Sequence, residues 1–278
     1  MPHTRTGIAY ERRGPGGRVP VVLVHAGVAD RRMWDAQWPG LVTERDVVRL
    51  DLRGFGESVE PPTGPLSPVD DLLELLDSLG IGRCHLVGAS FGAGVAVEAA
   101  VTRPELAESL LLSAPGGSLI AEATDQLRDF LAAEEGALAD DDLDAAVEAN
   151  VRWWLDGPHR AAGTAPAAIR AEVAAMQRLA FEITSSWGPV EERELDPPVL
   201  TRLGEVVAPT LVLVGAQDLD AIADTAARVA SGVPGARTIE WPDAAHLPSV
   251  EHPDRFLELL RGWLEESPQT SQTRGTNR

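Results

Sequence analysis

Short apolar runs alternate with helical segments along most of this chain, and that alternation restricts the possible folds more than any other feature. Residues 19–24 form an apolar, mostly β-branched run, which is typical of a strand buried on both faces. Further strands are predicted at 7–12, 47–50, 85–87, 110–112, 210–214 and 238–241, with core helices at 30–38, 67–79, 91–102 and 253–264. The pattern predicts an α/β protein with a mostly parallel sheet flanked by helices.

The middle of the chain has a different texture. Residues 115–206 show no clear strand and carry alanine-rich helical patterns, at 124–135, 140–155 and 166–185. We therefore predict a helical insertion at 115–206, within a core built from 1–114 and 207–266. The polar tail, 267–278, is predicted to be disordered.

Composition excludes several classes of chemistry. The 24 basic side chains are all arginine, so no lysine can bind a nucleotide phosphate or form a Schiff base. The 43 acidic residues give a net charge of −19, which argues against binding to nucleic acid or to an anionic membrane surface. The expected partner is a small molecule, while the oligomeric state stays open.

A single cysteine, Cys84, allows neither an internal disulfide nor a Cys/His zinc site, so we predict no metal and no other cofactor. No apolar run reaches the length of a membrane-spanning helix. Residues 1–18 lack the apolar stretch of a secretory signal, and a reducing cytoplasm is the expected location.

The chemistry centres on residues 84–94, which read as a strand, a turn of the form small-X-Ser-X-small, and a helix. Such a turn holds its serine, here Ser90, in a strained conformation that exposes the hydroxyl. Gly88 and Gly92 leave room for the backbones to approach. The pattern predicts that Ser90 is a nucleophile.

A serine nucleophile needs a histidine base and an acid that orients it. His246 follows the last predicted strand, so its loop can reach the sheet edge where Ser90 lies. Asp218 follows the strand at 210–214 and is favoured as the acid over Asp220, two residues further on. The other histidines are interpreted as structural, turn or surface residues: His3, His25, His85, His159 and His252.

The chain resembles the α/β-hydrolase superfamily over about residues 7 to 264. Four blocks carry the resemblance: Val-Val-Leu-Val-His-Ala-Gly at 21–27, Asp-Leu-Arg-Gly-Phe-Gly-Glu-Ser at 51–58, the Ser90 turn, and Asp218 with His246. The resemblance implies a mostly parallel sheet of eight strands, or seven if the first is missing, and a helical cap inserted after strand 6. The chain order Ser90, Asp218, His246 is the order of this family.

One position departs from the family pattern. Family members usually read His-Gly-X where this chain has His25-Ala26-Gly27, and X donates a backbone N–H to the oxyanion hole. By position, the resemblance implies that Gly27 and Phe91 are the two donors, with Ala26 or Val28 as alternatives to Gly27. The block at 51–58 is interpreted as architectural.

Among serine-dependent members the chain is most similar to enol-lactonases and small carboxylesterases. The resemblance implies hydrolysis of a small, apolar ester or lactone through an acyl-enzyme. A carbon–carbon hydrolase, a lyase or cyclase, an acyltransferase and a small-molecule receptor share the same motifs and stay as alternatives. Candidate pocket residues are Val28, Trp153, Trp154, Met176, Phe181, Trp187 and Leu247, although the aromatic ones could equally serve to pack the cap.

Overall fold

The protein is described by a computed structural model that covers residues 1–266. The predicted disorder of 267–278 lies outside the described residues. Seven strands form one sheet in the order β1-β3-β2-β4-β5-β6-β7. They are β1 (Tyr10–Arg13), β2 (Val21–Val24), β3 (Val47–Leu50), β4 (Cys84–Ala89), β5 (Ala107–Ser113), β6 (Thr210–Gly215) and β7 (Arg237–Trp241).

Only the pairing of β1 with β3 is antiparallel, and every other neighbouring pair is parallel. The prediction of a mostly parallel sheet is confirmed, with seven strands rather than eight. Strands β2 to β6 are buried along their whole length, as expected where both faces of a sheet are covered. Chain order reverses between β2 and β4, and a crevice opens beyond the ends of strands at such a point.

The core helices are α1 (Trp38–Leu41), α2 (Pro68–Ser78), α3 (Phe91–Thr102), α7 (Asp220–Gly232), α8 (Pro248–Glu251) and α9 (Pro253–Glu266). Helix α2 begins as its sequence predicts, because the Ser67 side chain accepts the Asp70 N–H and Pro68 occupies the first turn. The helix predicted at 30–38 is instead a 3₁₀ turn, Arg31–Trp34, capped by Asp30 and followed by α1. Helix α3 packs on β4 and β5 beside α2.

Three helices lie in the connection from β5 to β6, hereafter the β5–β6 connection: α4 (Asp125–Ala139), α5 (Leu143–Asn150) and α6 (Ala167–Ser185). A single helix was predicted at 140–155, but α5 begins only after Asp142, whose side chain accepts the Ala145 N–H. It is followed by a π-helical turn, Val151–Asp156. Such turns are rare and occur often at functional sites.

None of the helices within residues 1–266 is long and apolar enough to cross a lipid bilayer.

Candidate active site

Ser90 lies between β4 and α3 with φ 50° and ψ −115°, a backbone conformation that residues other than glycine rarely adopt. Its N–H donates to the Ser113 carbonyl, and its own carbonyl accepts from the N–H groups of Ala93 and Gly116. These bonds hold the strained turn in place, at a cost of about 1–3 kcal/mol in backbone energy. The side chain is consequently presented at the edge of the sheet.

Glycine is required on both sides of this serine because backbones meet there. A Cβ atom on Gly88 would lie 2.4 Å from the Gly92 carbonyl oxygen. A Cβ atom on Gly92 would lie 2.5 Å from the carbonyl oxygens of Val24 and His25. The small residues of the motif thus let α3 start directly against β4 and β2.

The structure brings Ser90, His246 and Asp218 together in one hydrogen-bonded chain. The Ser90 Oγ lies 2.7 Å from His246 Nε2, and His246 Nδ1 lies 2.7 Å from Asp218 Oδ2. The second oxygen of Asp218 accepts the Leu219 N–H at 2.7 Å. His246 and Asp218 are both buried, so their bond is shielded from water.

The other candidate acid and the other histidines lie elsewhere. Asp220 is the first residue of α7, and its carboxylate accepts the Ala221 N–H and the Thr124 hydroxyl. His85 bonds Ser109, and His252 bonds the Asp243 carbonyl. His3 bonds the backbone carbonyls of 1 and 57, and His159 is exposed.

Gly27 follows β2 and Phe91 follows Ser90, so the crevice between β2 and β4 brings them together. A Cβ atom on Gly27 would lie 3.5 Å from the Phe91 Cβ. The Ala26 N–H points at the Met33 sulfur at 3.3 Å, whereas the N–H groups of Gly27, Val28 and Phe91 have no acceptor among residues 1–266. Gly27 and Val28 are therefore the available donors of this loop.

His25 orients the same loop. Its Nε2 accepts the Leu52 N–H at 2.8 Å, so the ring proton lies on Nδ1 and is donated to the Ala26 carbonyl at 2.8 Å. Burial lowers the pKa of His25, which keeps the ring neutral. Carbonyl and N–H point in opposite directions across a trans peptide, so fixing the Ala26 carbonyl also fixes the Gly27 N–H.

Of the predicted pocket residues, Trp154 is the one the structure places against His246. The two rings have centroids 4.4 Å apart, and the Trp154 carbonyl accepts the His246 N–H at 3.3 Å. Val28 and Leu247 are both buried. In the sequence, Val28 follows Gly27 and Leu247 follows His246.

The remaining predicted pocket residues contact other segments, and their place in a pocket stays a prediction. Trp187 donates its ring N–H to the Val59 carbonyl and lies over Gly54. Met176 accepts the Asp30 N–H through its sulfur at 3.5 Å. Trp153 and Phe181 are partly buried and pack against the main core.

The loop at 51–58 is architectural, as predicted. Asp51 is fully buried and accepts the N–H groups of Arg31 and Glu57 at 2.9 Å. Arg53 forms a two-pronged ion pair with Asp71, at 2.6 and 2.9 Å.

Residues 1–266 contain no cluster of three or more His, Cys, Asp or Glu side chains that could hold a metal ion.

His246 lies in the loop 243–247, hereafter the histidine loop. Two residues that hold this loop were not anticipated from the sequence: Glu251, five residues after His246, and Arg160 of the β5–β6 connection. A buried acid one turn beyond the base is a weak signal in a chain with 43 acidic residues. The 91 residues that separate Arg160 from Glu251 leave no periodic pattern to connect them.

The family model described as "Alpha/beta hydrolase family" matches residues 21–259. The chain is 31% identical to the strigolactone esterase D14 of Arabidopsis thaliana over 261 residues, which cover 89% of this chain and 92% of that protein. A thermophilic esterase from Thermogutta terrifontis is 27% identical, with a TM-score of 0.71 and coverage of 94% of this chain and 93% of that one.

The enol-lactonase from Burkholderia xenovorans LB400 has a TM-score of 0.73 over 93% of this chain and 96% of that one. Its 23% identity makes it a likeness of fold. The family match covers most of the sequence and agrees with the sheet order and the position of the serine turn. The chain belongs to the alpha/beta hydrolase family.

Proposed function

We propose that this hydrolase cleaves small, apolar esters or lactones through a covalent acyl-enzyme on Ser90. The observation that carries the proposal is the continuous hydrogen-bonded chain from Ser90 through His246 to Asp218, which begins at a strained, partly exposed serine. This is the arrangement in which a serine hydroxyl becomes a nucleophile. The substrate class is supported by the esterase and lactonase names of the relatives.

Acylation begins when His246 Nε2 takes the Ser90 proton and Oγ bonds to the substrate carbonyl carbon. The carbonyl electron pair moves onto oxygen, where the N–H groups of Gly27 and Phe91 bind it. The tetrahedral intermediate collapses as the bond to the alcohol oxygen breaks. That oxygen takes the proton from His246 and leaves as the alcohol, or stays attached as the opened end of a lactone.

Deacylation repeats the sequence with water. His246 takes a proton from water while the water oxygen bonds to the acyl carbon, and collapse breaks the bond to Ser90 Oγ. The proton on His246 returns to Oγ and the acid leaves. Asp218 accepts the Nδ1–H throughout, so that Nε2 always faces the serine and the charged imidazole is stabilised.

The test is a panel of p-nitrophenyl acetate, butyrate and octanoate with γ- and δ-lactones, assayed on the wild type and on two histidine variants. His246→Gln is expected to lower kcat/KM by about ten-thousandfold or more, because the base is lost. His3→Gln is the control. The His3 ring bonds the backbone carbonyls of 1 and 57, away from the histidine loop, so this variant should leave kcat/KM within about twofold.

Labelling with a fluorophosphonate separates the alternatives. Labelling of Ser90 together with ester or lactone turnover supports the proposal. Labelling without turnover of any ester or lactone would contradict it, and would favour a receptor, a lyase or cyclase, or an acyltransferase that carries the same three side chains.

A further inference from the structure

The segment 154–160 of the β5–β6 connection lies directly on both loops that hold the proposed base and acid. Gly157 has φ +81°, and a Cβ atom on it would lie 2.2 Å from the Gln217 carbonyl oxygen and 2.9 Å from the Ala245 Cβ. Gln217 precedes Asp218, and Ala245 precedes His246. The close approach at Gly157 therefore fixes this segment against both loops at once.

The Glu251 carboxylate holds the backbone of the histidine loop. Its Oε1 accepts the Ala245 N–H at 2.9 Å and the Leu247 N–H at 3.3 Å, and Oε2 lies 3.1 Å from the same Ala245 nitrogen. One carboxylate thus binds the backbone on each side of His246. Burial raises the pKa of Glu251, which means that the charged carboxylate needs a partner to be stable here.

Arg160 is that partner. Its Nη2 lies 2.7 Å from Glu251 Oε2 and also donates to the Leu155 carbonyl at 2.6 Å. Its Nε donates to the Asp156 carbonyl, and Nη1 donates to the Asp243 carbonyl at 3.3 Å. The Arg160 guanidinium therefore connects the π-helical turn to the histidine loop through the Glu251 carboxylate, which binds the backbone of this loop.

We propose that Arg160 and Glu251 are positioning residues that hold the His246 imidazole in register with Ser90, so that the β5–β6 connection completes the catalytic geometry. Neither side chain touches Ser90, and both act through the backbone of 243–247. The inference rests on the proposed function for the role of His246. Its physical basis is that catalysis by a base depends steeply on alignment, whereas folding does not depend on this loop alone.

The experiment compares Arg160→Gln with Arg170→Gln in the full-length protein. Arg170 is a matched control: it is also an ion-paired arginine of the same connection, with 19% side-chain exposure against 18% for Arg160. Its partners are Glu148 and Asp156, and it makes no hydrogen bond to residues 243–251 in the described part of the chain. General loosening of the connection should affect both variants alike.

Arg160→Gln is expected to lower kcat by about ten- to a hundredfold while KM for p-nitrophenyl butyrate stays within about threefold. Arg170→Gln should keep kcat within about twofold, even if its melting temperature falls. Arg160→Lys, which restores a cation beside Glu251, should give an intermediate kcat. Glu251→Gln should lower kcat as well, and the double variant Arg160→Gln/Glu251→Gln should be no worse than Glu251→Gln alone.

A second readout does not depend on turnover. The proton between His246 Nδ1 and Asp218 Oδ2 should give a far-downfield proton resonance in the wild type and in Arg170→Gln. In Arg160→Gln this signal should broaden or disappear, while near-ultraviolet circular dichroism shows a folded protein.

Unchanged kcat and an unchanged resonance in Arg160→Gln would overturn the inference, as would an equal loss in Arg170→Gln. A wild type that is inactive on every ester and lactone would instead sink the proposed function, and the resonance comparison would still decide this inference.

Discussion

A serine and a histidine are hydrogen-bonded at both ends of strand β4. Beyond its carboxyl end, Ser90 Oγ lies 2.7 Å from His246 Nε2; near its start, His85 Nδ1 lies 2.8 Å from Ser109 Oγ. The two distances are almost the same. The distance between the two side chains therefore does not distinguish a nucleophile from a packed hydrogen bond.

The difference lies in what surrounds each pair. Ser90 is strained and partly exposed, and Asp218 binds the second nitrogen of its histidine. Ser109 lies within β5 and His85 within β4, next to a register shift between these strands, and the two residues are 1% and 2% exposed. Burial lowers the pKa of His85 to about 4, so this ring is neutral at neutral pH. The same burial keeps a substrate away from it. Exposure, backbone conformation and the Asp218 carboxylate distinguish the first pair and support its proposed chemistry.

The largest expected effect sets one serine against the other. Ser90→Ala should lower kcat/KM for p-nitrophenyl butyrate by at least about ten-thousandfold, because the nucleophile is removed. Ser109→Ala should leave kcat/KM within about twofold and lower only the stability, since it removes a buried hydrogen bond. Steady-state kinetics on both variants check this, and a large activity loss in Ser109→Ala would break the comparison.

The acid gives the second contrast. Asp218→Asn is expected to lower kcat by about ten-thousandfold, because the amide favours the wrong tautomer of His246. Asp220→Asn should keep kcat within about threefold, since the Asp220 carboxylate bonds the Ala221 N–H and the Thr124 hydroxyl and not His246. Equal losses in the two variants would show that Asp218 has no special role.

The pH dependence of stability tests the neutral state of His85. Its pKa is about 4 in the fold against 6.5 ordinarily, so the unfolded chain binds more protons between these values. The neutral His85 therefore contributes at most roughly 3 kcal/mol to the free energy of unfolding. This contribution is fully present above about pH 6.5 and is lost as the pH falls to about 4. Urea unfolding between pH 7 and pH 4.5 should therefore show a flatter profile for His85→Gln than for the wild type. Parallel profiles would contradict a buried, neutral His85.

The smallest expected effect concerns Gly88, within β4, and Gly82, two residues before this strand. Gly88→Ala should destabilise the fold by about 1–3 kcal/mol, because the new Cβ meets the Gly92 backbone. Gly82→Ala, where nothing lies within 4 Å of the added atom, should change the unfolding free energy by about 0.5 kcal/mol or less. Similar losses in chemical denaturation would argue against a specially tight turn at Ser90.

The same contrast explains which parts of the molecule could be predicted from sequence. Apolar runs, the Ser67-Pro68 start of α2 and the small residues around Ser90 are local signals, so the strands and the helices α2, α3 and α9 were predicted to within a few residues. Helix α7 was not predicted, and the helix expected at 30–38 is a 3₁₀ turn. The positions of Asp218 and His246 just after predicted strands indicated them as partners for Ser90, and their chain order agreed with the family resemblance. The structure places the three side chains in contact, and their catalytic role stays a prediction.

Contacts between distant segments left no such signal. The change from α5 to a π-helical turn was not predicted; this turn lies against the histidine loop, where the Trp154 carbonyl accepts the His246 N–H. The same holds for Trp154 on His246 and for Arg160 on Glu251. The bond from the Trp187 ring N–H to the Val59 backbone is a further contact of this kind, and the place of Trp187 in a pocket stays a prediction.

Covalent chemistry at Ser90 is the central proposal, and one measurement tests it directly. The wild type is mixed with p-nitrophenyl butyrate, quenched in acid within the first turnovers and digested for mass spectrometry. A butyryl group should appear on Ser90 and not on Ser109, and it should disappear as the substrate is exhausted. Turnover without an adduct on Ser90, or an adduct on Ser109 instead, would contradict the account.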